Sequence, residues 1–289
     1  MPLFLPERLL RLELPADSDE HTVSRTLAQL PVQAFHDAAA ASAWQAQTGD
    51  FVAFAGAEAH HATAVRRLNR GEPVSVADGT GLELVGTIAA TTKSSLALRV
   101  ALRRTHELPT PSLTLVQALA KGGRDELAIQ SATEAGVDAV VPWQAQRSVS
   151  VWQGRKLATG QQRWAAVVRE AAKQSLRARV PEVGVPVTTP QLAAALSGAG
   201  AEALEGRLAL LLDPEAPERL TTVPLERATN AERGEVVVII GPEGGTDPAE
   251  RDRLVKAGVI PVRLGESVLR TSSAGLAAIS VLSGRLGRW

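Results

Sequence analysis

The chain is 289 residues long, 45% hydrophobic and free of cysteine, and its 31 basic and 31 acidic side chains cancel to zero net charge. Disulfides, thiolate metal sites, iron–sulfur clusters and a cysteine nucleophile are thereby excluded, and the adjacent His60 and His61 lack metal-ligand spacing, so no metal is expected. The length suits two ordinary domains; no run approaches the roughly 18 apolar residues of a membrane span, and the acids and prolines of MPLFLPERLLRLELPADSDE break any secretory pattern, so a cytoplasmic protein without membrane partners is expected.

Residues 12–48, rich in Ala, Gln and acids without a clear period, read as an irregular or partly helical insertion. Short β-type runs follow at 51–55, 73–77, 82–89 and 95–101, with Asp78-Gly79 as a hairpin turn and a short helix ending at Gly71 between the first two. They suggest a small barrel. Residues 106–112, with Pro109 and Pro111, form a linker, after which strands and helices alternate: strand 113–119, helix 124–135 closed by Gly136, strand 139–142, helix 163–178, then strands 208–212, 236–240 and 260–264. That alternation predicts an α/β domain with a parallel sheet.

The middle helix carries two patterns. Trp164, Val167, Val168, Ala171 and Ser175 recur at helical spacing as a buried face, while Arg169, Lys173 and Arg177 lie four apart with Gln174 beside them. From Arg147 to Glu182 the basic residues Arg147, Arg155, Lys156, Arg163, Arg169, Lys173, Arg177 and Arg179 face only Glu170 and Glu182. Such a stripe fits a solvated face or one that follows RNA phosphates.

The most informative run is VVVIIGPEGG. Val236 to Ile240 are five β-branched residues, as in a strand buried on both faces. Gly241, Gly244 and Gly245 then allow φ values and close approaches that a Cβ would block. Asp247, Pro248 and Glu250 are an N-cap, a first helical residue and a capping-box partner, for a helix stopping near Gly258. VRLGESVLRTSSAG repeats the logic: a strand, a break at Gly265, and Thr271, Ser272 or Ser273 to cap an apolar helix through Leu276, Ile279 and Leu282. Two such loops at one sheet edge predict a ligand site built of backbone. The glycine spacing matches neither dinucleotide nor triphosphate loops, and Glu243 would repel phosphate.

In the order GGRDELAIQSATEAGVDAVVPWQAQRSVS, REAAKQSLRARVPEV, IIGPEGG and LGESVLRTSSAG, the chain resembles the RsmE-type ribosomal RNA methyltransferases of the SPOUT superfamily over residues 50–289. HHATAVRRLNRGEPVSVADG is similar to their N-terminal β-barrel. The resemblance implies a PUA-like RNA-binding barrel over residues 1–108 and a trefoil-knotted methyltransferase domain over 109–289. It further implies a homodimer, S-adenosylmethionine as methyl donor, and methylation of uridine N3 in 16S ribosomal RNA of the 30S subunit. By position, the donor pocket would comprise Leu212 and Asp213; Gly241, Pro242, Glu243, Gly244 and Gly245; and Leu264, Gly265, Val268, Leu269 and Thr271. Arg270 and Arg177 would be catalytic, and Arg66, Arg67, Arg147, Arg169, Lys173 and Gln174 would meet RNA. Where the family often reads LRTETA, this chain has LRTSSA. Methylation at N3 agrees with the absence of cysteine, since transfer to pyrimidine carbon 5 commonly uses a cysteine nucleophile. The alternatives are a related enzyme acting on transfer RNA ribose or guanine, and a non-catalytic RNA-binding or ribosome-assembly protein of the same fold.

Overall fold

The computed structural model describes residues 1–37, 40–197 and 206–289. The chain forms two compact units, one of residues 1–107 with 173–180, the other of residues 108–172 with 181–289. Nothing in the sequence pattern signals that residues 173–180 belong with the first.

In the first unit, β1 (Leu3–Phe4), β2 (Leu10–Leu12), β3 (Phe51–Ala55), β4 (Pro73–Ala77), β5 (Leu82–Thr91) and β6 (Ser95–Thr105) form one sheet in the order β1-β4-β5-β6-β3-β2. Only β1 and β4 pair in parallel. Strand β3 shows the two-residue period at work: Val52 and Phe54 join a core with Phe4, Leu84, Ile88 and Leu98, while Phe51 and Ala53 join another with Val23, Leu27 and Phe35. That second core explains the segment read from sequence as irregular. It contains α1 (Glu20–Gln29), α2 (Val32–Asp37) and α3 (Ala40–Ala43); Asp19 caps α1 by accepting from the Thr22 amide, and Val23 and Leu27, one turn apart, face the sheet. The hairpin forms as expected, with Gly79 at φ 80° and the Asp78 carboxylate accepting from the Thr80 and Leu82 amides. Helix α4 (Ala57–His60) and a π-turn at His61–Val65 end before Gly71, because Arg67 takes a left-handed φ of 52°.

The second unit contains β7 (Ser112–Ala118), α5 (Arg124–Glu134), β8 (Ala139–Gln144), α6 (Arg155–Gln174, its last two residues counted with the first unit), β9 (Glu182–Val183), β10 (Val187–Thr188), α7 (Thr189–Ser197), β11 (Arg207–Leu212), α8 (Glu226–Thr229), β12 (Glu235–Ile240), α9 (Pro248–Lys256), β13 (Ile260–Val262) and α10 (Thr271–Arg285). All strand pairs are parallel, in the order β10-β8-β7-β12-β11-β13, with β9 also on β8. The β-branched run is the centre of this sheet: Val236 to Ile240 are all buried, with Val237 and Ile239 packed among Val116, Trp143, Leu192 and Leu254. Burying each such side chain stabilises by about 1.5–3 kcal/mol. Helix α10 packs on α5, β7 and β12; Gly275 permits the approach, since a Cβ there would lie 3.1 Å from a Leu115 methyl.

The middle helix differs from expectation. It spans 155–174 rather than 163–178, because Leu176 turns left-handed at φ 58°. Arg177 therefore lies beyond the helix and cannot continue a helical stripe. Lys173 is not a free cation either: its Nζ is 2.8 Å from Glu58 Oε1, with the two side chains only 10% and 13% exposed, and Glu58 Oε2 is buried without a hydrogen-bond partner. Lys173→Met should destabilise the first unit by about 3–5 kcal/mol, the cost of stranding a buried carboxylate. In thermal unfolding, Lys173→Met combined with Glu58→Leu should recover much of that loss.

Candidate active site at the carboxyl edge of the parallel sheet

Strand β11 lies between β12 and β13 and pairs with both in parallel, so the loops leaving all three emerge at one edge. These loops, with Leu212 ending β11 and Thr271 opening α10, carry all the residues expected to bind a cofactor, and hydrogen bonds tie them together. The Thr271 hydroxyl donates to the Gly241 carbonyl at 2.9 Å and accepts from the Gln117 amide at 2.9 Å, joining the third loop to the second. Asp213 accepts from Arg251 Nε at 2.6 Å and from the Glu215 amide, joining the first loop to the helix that follows the second. Arg219, beyond the first loop, pairs with Glu266 in the third. The Asp213 carboxylate is thus committed to shaping its loop.

Thr271 is not the cap that the sequence suggested. Arg270 occupies the N-cap of α10 with no side-chain cap bond, and Thr271, the first helical residue, is turned inward to the latch. Glu250 departs in the same way. Asp247 caps α9 through the Ala249 amide, but the Glu250 carboxylate is buried and accepts from the Gln146 amide and the Thr189 hydroxyl rather than reaching back to its own cap. In the GPEGG turn only Gly245 has a left-handed φ, 73°. A Cβ on Gly241 would meet Thr246 Oγ1 at 2.7 Å, whereas one on Gly244 would make only ordinary contact with Arg147. Within the chain itself, a close approach is therefore seen at Gly241 and not at Gly244.

Glu243 accepts from Arg124 at 3.0 Å and from the Lys121 amide at 3.3 Å. Burial acts to raise its pKa, but hydrogen bonds from its own amide, from Arg124 and from Lys121 outweigh that and hold the carboxyl below the usual carboxylate range. Around this turn, Val268 is 73% exposed and Leu269 41%, and the Arg270 side chain is also exposed.

Among the residues expected to meet RNA, Arg66 and Arg67 are exposed in the first unit. Arg147 braces the glycine turn, donating to the Gly244 carbonyl and to Asp247, both at 3.2 Å. Arg169 is half-buried, Gln174 is exposed at the end of α6, and Lys173 is held in its ion pair. Arg177 falls in the first unit and Arg270 in the second. Sequence reasoning missed Gln117, whose side chain is fully buried and anchors the Thr271 latch. Its signal was a lone amide at the end of the apolar run LTLV.

A family model described as an RNA methyltransferase domain matches residues 106–283. Ribosomal RNA small subunit methyltransferase E of Mycobacterium bovis is 41% identical over 84% of this chain and 89% of its own length. Among solved structures, ribosomal RNA small subunit methyltransferase E from Neisseria gonorrhoeae bound to S-adenosyl methionine is 25% identical, covering 83% of this chain and 94% of that one with a TM-score of 0.70. A methyltransferase from Legionella pneumophila with bound cofactor SAM is 28% identical, covering 81% and 92%, with a TM-score of 0.68. The parallel sheet, the latched loops at its edge and these likenesses converge: the chain belongs to the ribosomal RNA small subunit methyltransferase E family.

Proposed function

We propose that this protein methylates N3 of a uridine in 16S ribosomal RNA of the small ribosomal subunit, using S-adenosylmethionine, in the cytoplasm and as a homodimer. The observation that carries the reading is the Gln117–Thr271–Gly241 latch, which fuses two strand-end loops into one ligand wall. Family membership and the donor-bound neighbours support the methyl donor. Residues 1–108, joined by 173–180, serve as a PUA-like RNA-binding barrel, with Arg66 and Arg67 turned to the RNA, and the rest of 109–289 as the knotted catalytic domain. The knot is supported by the strand path, which crosses from β12 over β11 to β13 before α10 returns to β7 and β12. The dimer is supported by the exposed Leu276 on α10 and the exposed Trp289 beyond it.

The loops fit the donor chemically. Val268 and Leu269 offer apolar surface for an adenine face, and Leu212, Leu264, Gly265 and the turn from Gly241 to Gly245 would hold the remainder largely through backbone groups. Ionised Glu243 suits a cationic ligand. S-adenosylmethionine supplies a methyl group on a sulfonium. The chain's own contribution is at the acceptor. Loss of the N3 proton spreads negative charge over the uracil carbonyls, and Arg270, exposed beside the latch, can meet that charge with a planar pair of N–H donors. A catalytic role is proposed for Arg177 as well, on the family resemblance.

Thr271→Val should keep the fold while unfastening the loops. Leaving the Gly241 carbonyl and the Gln117 amide unpaired costs about 1–3 kcal/mol, so S-adenosylmethionine affinity by calorimetry should fall roughly tenfold or more. Arg270→Ala should act on the chemical step instead. Single-turnover methylation of assembled small subunits, at saturating donor and RNA, should slow by about 10²–10³ with donor affinity near parental, and Arg270→Lys should recover little because one ammonium cannot reproduce the guanidinium fork. A parental rate constant for Arg270→Ala would remove this residue from the mechanism; a parental protein that binds donor without turnover would make the chain a non-catalytic RNA-binding member of its family.

A further inference from the structure

A second cleft opens at the same sheet edge, on the β7–β8 side rather than the β11–β13 side. It encloses about 680 Å³ between the loop after β7, the loop after β8 and the first half of α6, a size usual for ligand clefts. Its cations are Lys121, Lys156 and Arg163, and its acids are Asp125 and Glu126. Arg163 and Glu126 neutralise one another through a two-pronged pair, with Nε 2.5 Å from Oε1 and Nη2 2.9 Å from Oε2. Burial pushes the Asp125 carboxyl above its usual range, and it is the cleft's one acid outside that pair, set against two lysines. The ammonium groups of Lys121 and Lys156 have no ion-pair partner among the described residues, so the cleft is electropositive.

One wall is aromatic and held in place. The Trp152 ring lies so close to α6 that a Cβ on Gly160 would sit 2.6 Å from it; it meets Trp164 edge-on at a centroid separation of 5.6 Å, and its backbone amide donates to Gln144. Val149, 66% exposed, lies on the same loop. The cleft also adjoins the candidate donor site, because the Lys121 amide and Arg124 both reach Glu243.

We propose that this cleft binds single-stranded RNA, taking phosphodiester groups at Lys121 and Lys156 and an unstacked base beside Trp152. The inference rests on the RNA-methylation reading and adds to it a station for nucleotides flanking the target. Unpaired lysines supply the sequence-independent attraction to phosphate, and a fixed aromatic side chain supplies a surface on which any base can stack.

The test uses the full chain and a fluorescein-labelled oligouridylate of about ten nucleotides, within the span a single-strand groove covers, with binding read by anisotropy at several salt concentrations. Lys121→Gln with Lys156→Gln should flatten the slope of log affinity against log salt by about 0.7 for each lysine. Trp152→Ala should weaken binding about tenfold, and Trp152→Phe, which keeps a ring against Gly160 and guards against misfolding, should retain most of it. An abasic strand of equal length should feel the lysine changes and not the tryptophan change. Parental slopes and affinities in folded variants would overturn the proposal. Lysine effects without a tryptophan effect would overturn the base contact and reduce the cleft to a surface for polyanions in general. S-adenosylmethionine binding, measured separately on each protein, keeps the two readings apart: failure of the parent to bind donor counts against the methyltransferase reading, whereas the anisotropy series decides the cleft.

Discussion

A strand that is buried on both faces and paired along both edges can show the solvent only its ends. Strand β12 is in that position, with β7 on one side, β11 on the other and both faces covered. Its backbone groups are consumed by the ladders and its side chains by the core, so its chemistry is confined to the turn that leaves it. Its parallel neighbours share the constraint, and their loops collect at the same edge. The sheet's packing thereby selects where a ligand can be held, before any functional side chain is considered.

The loops at that edge would be independent if only the strands held them. Interior polar side chains join them instead: Thr271 spans from the Gly241 carbonyl to the Gln117 amide, Arg251 reaches Asp213, and Glu250 fastens the Gln146 backbone to Thr189. Thr189 in turn accepts from the Trp143 indole, which anchors that network in the core. A buried hydroxyl or carboxylate with several partners fixes geometry more strictly than apolar packing, because each lost partner leaves a polar group without water.

The central strand, the glycine turn, the Asp247 cap and the alternation of strands and helices were legible because each follows from a local rule. The residues that join the loops were not. Glu250 sits where a capping box places its acid, and Thr271 where a helix cap belongs, yet both turn inward to partners far away in sequence. Local capping geometry and a buried tertiary hydrogen bond compete for the same oxygen, and spacing in one sequence reports only the first. The basic stripe failed for a related reason. A period of four identifies a helical face, but it carries no information about Glu58, which pairs with Lys173 from more than a hundred residues away, or about the left-handed Leu176 that ends the helix before Arg177.

The Ser272-Ser273 pair bears on the charge at the candidate site. The first turn of α10 contains no acid, and its N-cap, Arg270, makes no side-chain cap bond. The positive end of the helix dipole and the exposed Arg270 guanidinium are therefore not neutralised from within that turn. An acid at either serine position would offset both. With serines there, the loop that Thr271 fastens to Gly241 keeps an undiminished positive field close to the glycine turn, while Glu243 on that turn keeps a negative charge matched by Arg124. The loop before α10 thus carries a cation without an ion-pair partner among the described residues, and the glycine turn a carboxylate already paired with one.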